Sequence, residues 1–158
     1  MRSNSSTACD SVNKAGGFPL QDGLDTAAVE GLSDWPYATP NVHVEWKPYE
    51  PGVGVWFWRS VGSSQNGFFS ESFIDELAHA AMQDPYEYRR KLLKADDRRK
   101  AVLELAAAKA GWGKPLPKGR ARGIAVCESF GTYVAEVVEA SLNKDGTPRV
   151  HRVICAVD

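Results

Sequence analysis

Trp58-Arg59-Ser60-Val61-Gly62 is the stretch of this chain best suited to chemistry with an anion. It stands between an apolar and aromatic run, Gly52 to Phe57, and the first residues of an amphipathic helix. A strand that turns sharply into a helix through small residues presents main-chain N–H groups at the helix mouth. Oxyanions, cofactor phosphates and oxo groups are commonly held there. No self-contained catalytic set accompanies this turn. Ser129 follows Glu128 without the G-x-S-x-G elbow of a serine nucleophile. Cys127, in the run Ile-Ala-Val-Cys-Glu, reads as a buried structural thiol. Glu128, Glu136 and Glu139 fall on a predicted hairpin, where Glu136 either points inward among apolar neighbours or lies at an edge, the simpler reading. The glycines have neither Walker nor Rossmann spacing. Cys9, Cys127 and Cys155 are far apart and form no C-x-x-C pair, and the three histidines lack metal-ligand spacing. No catalytic residue and no metal ligand is therefore assigned.

The elements that must position the turn follow from periodicity. Residues 1–34 are rich in Ser, Asn, Gly and Asp and read as an irregular lead-in, with a short helical turn at Leu24 to Val29. Val42, Val44 and Trp46 alternate with His43 and Glu45, which predicts a strand over 41–47 with His43 exposed. Val53, Val55 and Phe57 oppose Trp56 and Trp58, so a strand over 53–58 is apolar on both sides and belongs in the core. A helix over about 64–83, capped by Ser63 or Ser64, carries Phe69, Phe73, Leu77 and Ala81, with Ile74 and Ala78 beside them, as an apolar stripe with His79 near its edge. Asp84-Pro85-Tyr86-Glu87 stops it and starts a second helix, about 85–94, with Asp84 as N-cap and Pro85 in the first turn. Asp96 or Asp97 caps a third, about 97–110, which Gly111 ends. Strands at about 122–130, 132–142 and 149–157 follow, the last two joined through the Asp145-Gly146 hairpin signal. The fold class is α+β: three helices packed with a mostly antiparallel sheet. Residues 35–158 form the folded unit.

The chain has 158 residues, enough for one domain with a real core, and its hydrophobic (43%) and charged (25%) content is that of globular proteins. A net charge of −1 argues against nucleic-acid binding as the main function. Residues 71–122 hold 12 Lys/Arg against 8 Asp/Glu, alternating in sign along predicted helices, which reads as a solvated face. No apolar run reaches membrane-spanning length, and the N-terminus has no apolar signal segment. As it stands the chain reads as cytoplasmic, or periplasmic if a longer N-terminus carried an export signal. It stops in mid-strand at Val157-Asp158, and the expectation is a fragment.

Several blocks, taken in order, resemble the molybdenum hydroxylases of the xanthine dehydrogenase and aldehyde oxidase family, and within it the large (beta) subunit of isoquinoline 1-oxidoreductase-type enzymes. They are Trp58-Arg59-Ser60-Val61-Gly62, Asn66, and Glu71-Ser72-Phe73-Ile74-Asp75-Glu76-Leu77-Ala78. Downstream stand Asp84-Pro85, Ala110-Gly111-Trp112-Gly113, Arg122-Gly123-Ile124-Ala125-Val126, Glu128-Ser129-Phe130-Gly131 and Val150-His151-Arg152-Val153. The similarity runs from about Gly23 to the C-terminus. It implies a subunit that holds a molybdenum–molybdopterin dinucleotide and hydroxylates a small molecule, an N-heteroaromatic or an aldehyde, with oxygen from water. It also implies two partners, an iron–sulfur small subunit and the remaining part of the large subunit. The cofactor contacts it implies fall on Trp58, Arg59, Ser60, Val61 and Gly62.

The family's catalytic glutamate sits in a Gly-Glu motif that has no counterpart here, and Cys127 stands where the family has a histidine. The resemblance therefore implies a segment that is inactive alone. Two other readings remain open: a non-catalytic interaction module using Trp56, Trp58, Tyr133 and the sheet edge, or a truncated reading frame without activity of its own.

Overall fold

The computed structural model describes residues 22–47, 53 and 57–158. Four helices and three strands stand among them: α1 (Thr26–Val29), α2 (Val61–Ala80), α3 (Pro85–Leu92), α4 (Arg98–Ala110), β1 (Arg120–Ser129), β2 (Thr132–Leu142) and β3 (Pro148–Val157). The α+β class is as the sequence predicts. The strands form one antiparallel meander in the order β1-β2-β3. Its register pairs Val126 with Ala135 and Val137 with Ile154, with a bulge where Glu139 and Ala140 meet β3.

Alternation along the strands decides the two faces. Ile124 and Val126, Ala135 and Val137, and Ala156 point inward and are buried. They meet Val102, Leu103, Ala106, Ala107 and Ala110 of α4, whose small residues let the helix lie close across β2. The caps follow the local chemistry. The Asp84 carboxylate accepts from the N–H groups of Tyr86 and Glu87, both at 3.0 Å, with Pro85 in the first turn. Asp97 caps α4 by accepting from Arg99 N–H at 2.8 Å, and Gly111 ends that helix in the left-handed conformation (φ 67°).

Four expectations need correction. Residues 41–47 form no strand and pair with no strand among the described residues, and Val42 is 51% exposed. Alternation favours a strand only where another strand is there to pair with it. Half of the predicted strand 53–58, residues 54–56 and so Trp56, lies outside the described residues. Of its ends, Val53 is 71% and Trp58 78% exposed, so the described part is not core. The stripe on α2 is split: Phe69 (57%) and Phe73 (52%) are exposed, Leu77 is half-buried against the core, and Ile74 and Ala78 are buried on a face shared with Gly62, Ser63, Asn66, Ser70 and Glu71. The solvated basic stretch contains Arg89, which is fully buried. The last two corrections share one cause, a polar network that draws the hydrophilic face of α2 inward.

Candidate functional site

That network centres on Glu71. Its carboxylate accepts from the Tyr37 hydroxyl at 2.6 Å, Arg89 Nε at 2.8 Å and the backbone N–H of Val126 at 2.9 Å. Arg89 also donates to Asp75 Oδ1 at 2.5 Å, to the Glu71 carbonyl at 2.9 Å and to the Pro85 carbonyl at 3.1 Å. Burial opposes the Arg89 charge, and Glu71, Tyr37 and Asp75 outweigh it, so its pKa is raised. Tyr37 is raised well above the usual phenol range, first by burial and then by the Glu71 carboxylate. The N–H of Val126 belongs to the free edge of β1, so Glu71 both pairs a buried guanidinium and closes a sheet edge. Sequence reasoning missed this set. The available signal was the i, i+4 spacing of Glu71 and Asp75 opposite an arginine-rich helix.

The predicted turn sits at the other end of α2. Ser60 (φ 66°) and Val61 (φ 46°) both occupy the left-handed region, which is costly for a β-branched residue. Val61 N–H donates to the Trp58 carbonyl at 3.0 Å, and the Ser64 hydroxyl to the Arg59 carbonyl at 2.5 Å. Ser60, rather than Ser63 or Ser64, is the N-cap, and its side chain makes no capping bond. Serine at 63 and 64 lies inside the first turn because the helix starts three residues earlier than periodicity indicates.

Gly62 has a packing role. A Cβ there would stand 2.2 Å from the Ala27 carbonyl oxygen and 3.0 Å from Glu30 Cβ, so only glycine lets α1 lean on α2. Asn66 fixes the same contact by donating to the carbonyls of Ala28 (2.9 Å) and Glu30 (2.8 Å). Trp58, Val61 and Gly62, with Asp25, Ala28 and Gln65, line a shallow groove of about 210 Å³. Arg59 is exposed beside it. The donor set fits an anionic group: a helix mouth without a side-chain cap, and a guanidinium free to reach solvent. It fits along one edge only, because α1 fills the space beside Gly62.

A larger groove of about 450 Å³ separates α2 from the outer face of the sheet, lined by Ser64, Gly67, Phe68, Asp75, Gly123, Cys127 and Glu136 among others. The Cys127 thiol is half-buried and its pKa is pushed up, first by burial and then by Glu71 and Glu128, which is the opposite of an activated nucleophile. Glu136 is exposed on this outer face, while Glu139 points inward and pairs with Arg122 at 2.9 Å. His43 and His79 are exposed, and no group of His, Cys, Asp and Glu among the described residues could hold a metal ion. No helix among them is long and apolar enough to cross a membrane.

Comparison with known proteins supplies the class. No family model matches the chain. It is 33% identical over 110 residues to the beta subunit of isoquinoline 1-oxidoreductase from Brevundimonas diminuta, a match over 67% of this chain and 14% of that protein. It is 39% identical over 77 residues to a subunit of nicotinate dehydrogenase from Pseudomonas putida, over 49% of this chain and 6% of that protein. A third relative, a membrane-bound aldehyde dehydrogenase of Gluconacetobacter polyoxogenes named for pyrroloquinoline quinone, is 34% identical over 94 residues, over 50% of this chain and 12% of that protein. These relatives are oxidoreductases, two of them subunits of larger enzymes. The chain belongs to the molybdopterin-binding hydroxylase family to which these matches point, and spans 14% or less of the length of each relative.

Proposed function

We propose that this chain is a segment of the large subunit of a molybdenum hydroxylase, and that its turn at residues 58–62 forms one wall of the cofactor pocket. The observation that carries the reading is the strained Ser60-Val61 reversal, which opens a helix with an uncapped mouth in the block that carries the family resemblance. The group it would hold, a molybdenum–molybdopterin dinucleotide, supplies when bound the oxidation of an N-heteroaromatic or aldehyde carbon with oxygen from water.

The work of this chain's own residues is positioning. First-turn N–H groups of α2 offer donors to an oxyanion, and they are preorganised because the left-handed backbone at 60 and 61 is fixed by the Val61–Trp58 and Ser64–Arg59 bonds. The exposed Arg59 adds a cation that can follow the anion without desolvation in its absence. Trp58 gives an apolar wall that excludes water from one side. None of these groups moves a proton. The iron–sulfur small subunit that would take the electrons, and the rest of the large subunit, are partners in this reading.

The test is a chimera. Residues 23–158 replace the matching segment of the Brevundimonas diminuta enzyme's large subunit, co-produced with its partner. Molybdenum content and dye-linked isoquinoline oxidation are then measured. The expected result is a chimera that retains molybdenum, with Arg59→Ala lowering occupancy several-fold at unchanged expression. The isolated chain is expected to hold less than stoichiometric molybdenum and to show no turnover. A folded chimera whose molybdenum content is indifferent to Arg59 would overturn the site, and stoichiometric molybdenum in the isolated chain would overturn the one-wall reading.

A further inference from the structure

The groove between α2 and the outer face of the sheet has features the cofactor reading does not use. Its floor is small: Gly67 packs on Cys127, whose sulfur would stand 3.0 Å from an added Cβ, and Gly123 has nothing within 4 Å of the place a Cβ would occupy. Its rim is aromatic. Phe68, 69% exposed, lines it, and Phe69 meets Phe68 edge to face at 5.9 Å between ring centres. Its charge is acidic, since Glu71, Asp75 and Glu136 line it and, among the described residues, no cation other than Arg89 forms an ion pair with them. On the sheet side it opens past Val138 and Glu136 onto Val153, Cys155 and Val157, of which Val153 is 49% and Val157 61% exposed. Exposed apolar surface rimmed by charge of one sign marks an interaction surface.

We propose that this groove is the docking site for a segment of the remaining large subunit that sets an arginine or lysine against Asp75 and Glu136 and apolar side chains on the glycine floor. Three observations select that occupant. The acid excess calls for a cation, and the Phe68 ring face adds attraction for one. A second copy of this chain would bring its own Glu136 to the same surface, so like charges oppose self-pairing there. The relatives extend far beyond the matched segment, with 14% of the Brevundimonas diminuta protein covered, so they contain chain enough to supply the occupant.

The source of the occupant rests on the large-subunit reading, whereas the groove's preference for a basic apolar segment does not. The experiment addresses the groove alone. The 158-residue chain is titrated with a blocked hexapeptide alternating valine with arginine, and with one alternating valine with glutamate, while amide signals are followed by NMR. The expected result is saturable shifts at Gly67, Gly123 and Ala125 with the arginine peptide, weakened at least threefold by Glu136→Gln and by 0.5 M salt, and abolished by Gly123→Leu. Leucine at 123 has open space to fill, so that variant should keep the fold, checked by its circular dichroism. Equal binding of the glutamate peptide, binding unaffected by both substitutions, or no binding at millimolar peptide would each overturn the proposal. So would concentration-dependent dimerisation that perturbs the same amides. Molybdenum content of the chimera tests the large-subunit reading separately, so the two can fail independently.

Discussion

Arg89→Leu probes the centre of the molecule. Arg89 is fully buried and Glu71 is 7% exposed, so removing the guanidinium leaves a carboxylate in the interior without its cation. Breaking a buried pair in this way costs about 3–5 kcal/mol. Glu71 would keep the Tyr37 hydroxyl at 2.6 Å and the Val126 N–H at 2.9 Å, which places the expected loss near the lower end, about 3 kcal/mol. Against a domain stability of about 5–15 kcal/mol that is a large share. With a urea dependence of about 1–3 kcal/mol per molar, the unfolding midpoint should fall by about 1–3 M. The control is Arg98→Ala, which removes the exposed Arg98–Asp158 pair at 2.8 Å and should hardly move the midpoint. A second variant separates charge from packing. Glu71→Gln added to Arg89→Leu removes the stranded charge and keeps one carbonyl acceptor for the Val126 N–H, while its amide NH2 can donate to the Tyr37 oxygen, so it should recover part of the loss. A loss below about 1 kcal/mol for Arg89→Leu, or further destabilisation from Glu71→Gln, would refute the reasoning.

Three more outcomes are expected. Tyr37 has a folded pKa raised above its unfolded value, so its contribution is present below about pH 10 and is lost as pH rises further; urea midpoints should drop between about pH 9 and 11, and less so in Tyr37→Phe. Gly62→Ala should cost about 2 kcal/mol or more by thermal unfolding, because its methyl meets the Ala27 carbonyl at 2.2 Å and must push α1 away; limited proteolysis near residues 25–35 should accelerate. Phe73→Ser should change stability by about 0.5 kcal/mol or less, while Ile74→Ala costs about 2–5 kcal/mol, although the apolar stripe groups the two; equal losses would restore the whole stripe as the core face.

The sequence by itself determined the elements whose signals are local. Asp84-Pro85, Asp97 and Gly111 set the helix boundaries because capping is decided within one turn of chain. Asp145-Gly146 and the period-two pattern after residue 120 set the meander, because hairpin pairing is between neighbours in sequence. The ordered blocks also carried the family. What only the tertiary structure decided is which face of α2 goes inward. The phenylalanines at 69 and 73 are among the largest apolar side chains on that helix, and a solitary helix would bury them. Glu71 is drawn to the interior instead, because Tyr37, Arg89 and the N–H of Val126 converge on it from positions 34, 18 and 55 residues away. No local pattern encodes that convergence. The same long-range packing explains Gly62, whose missing side chain is required by a carbonyl in α1. It also divides the turn: Gly62 and Asn66 hold α1 in place, and Trp58 and Arg59 are left exposed at the surface.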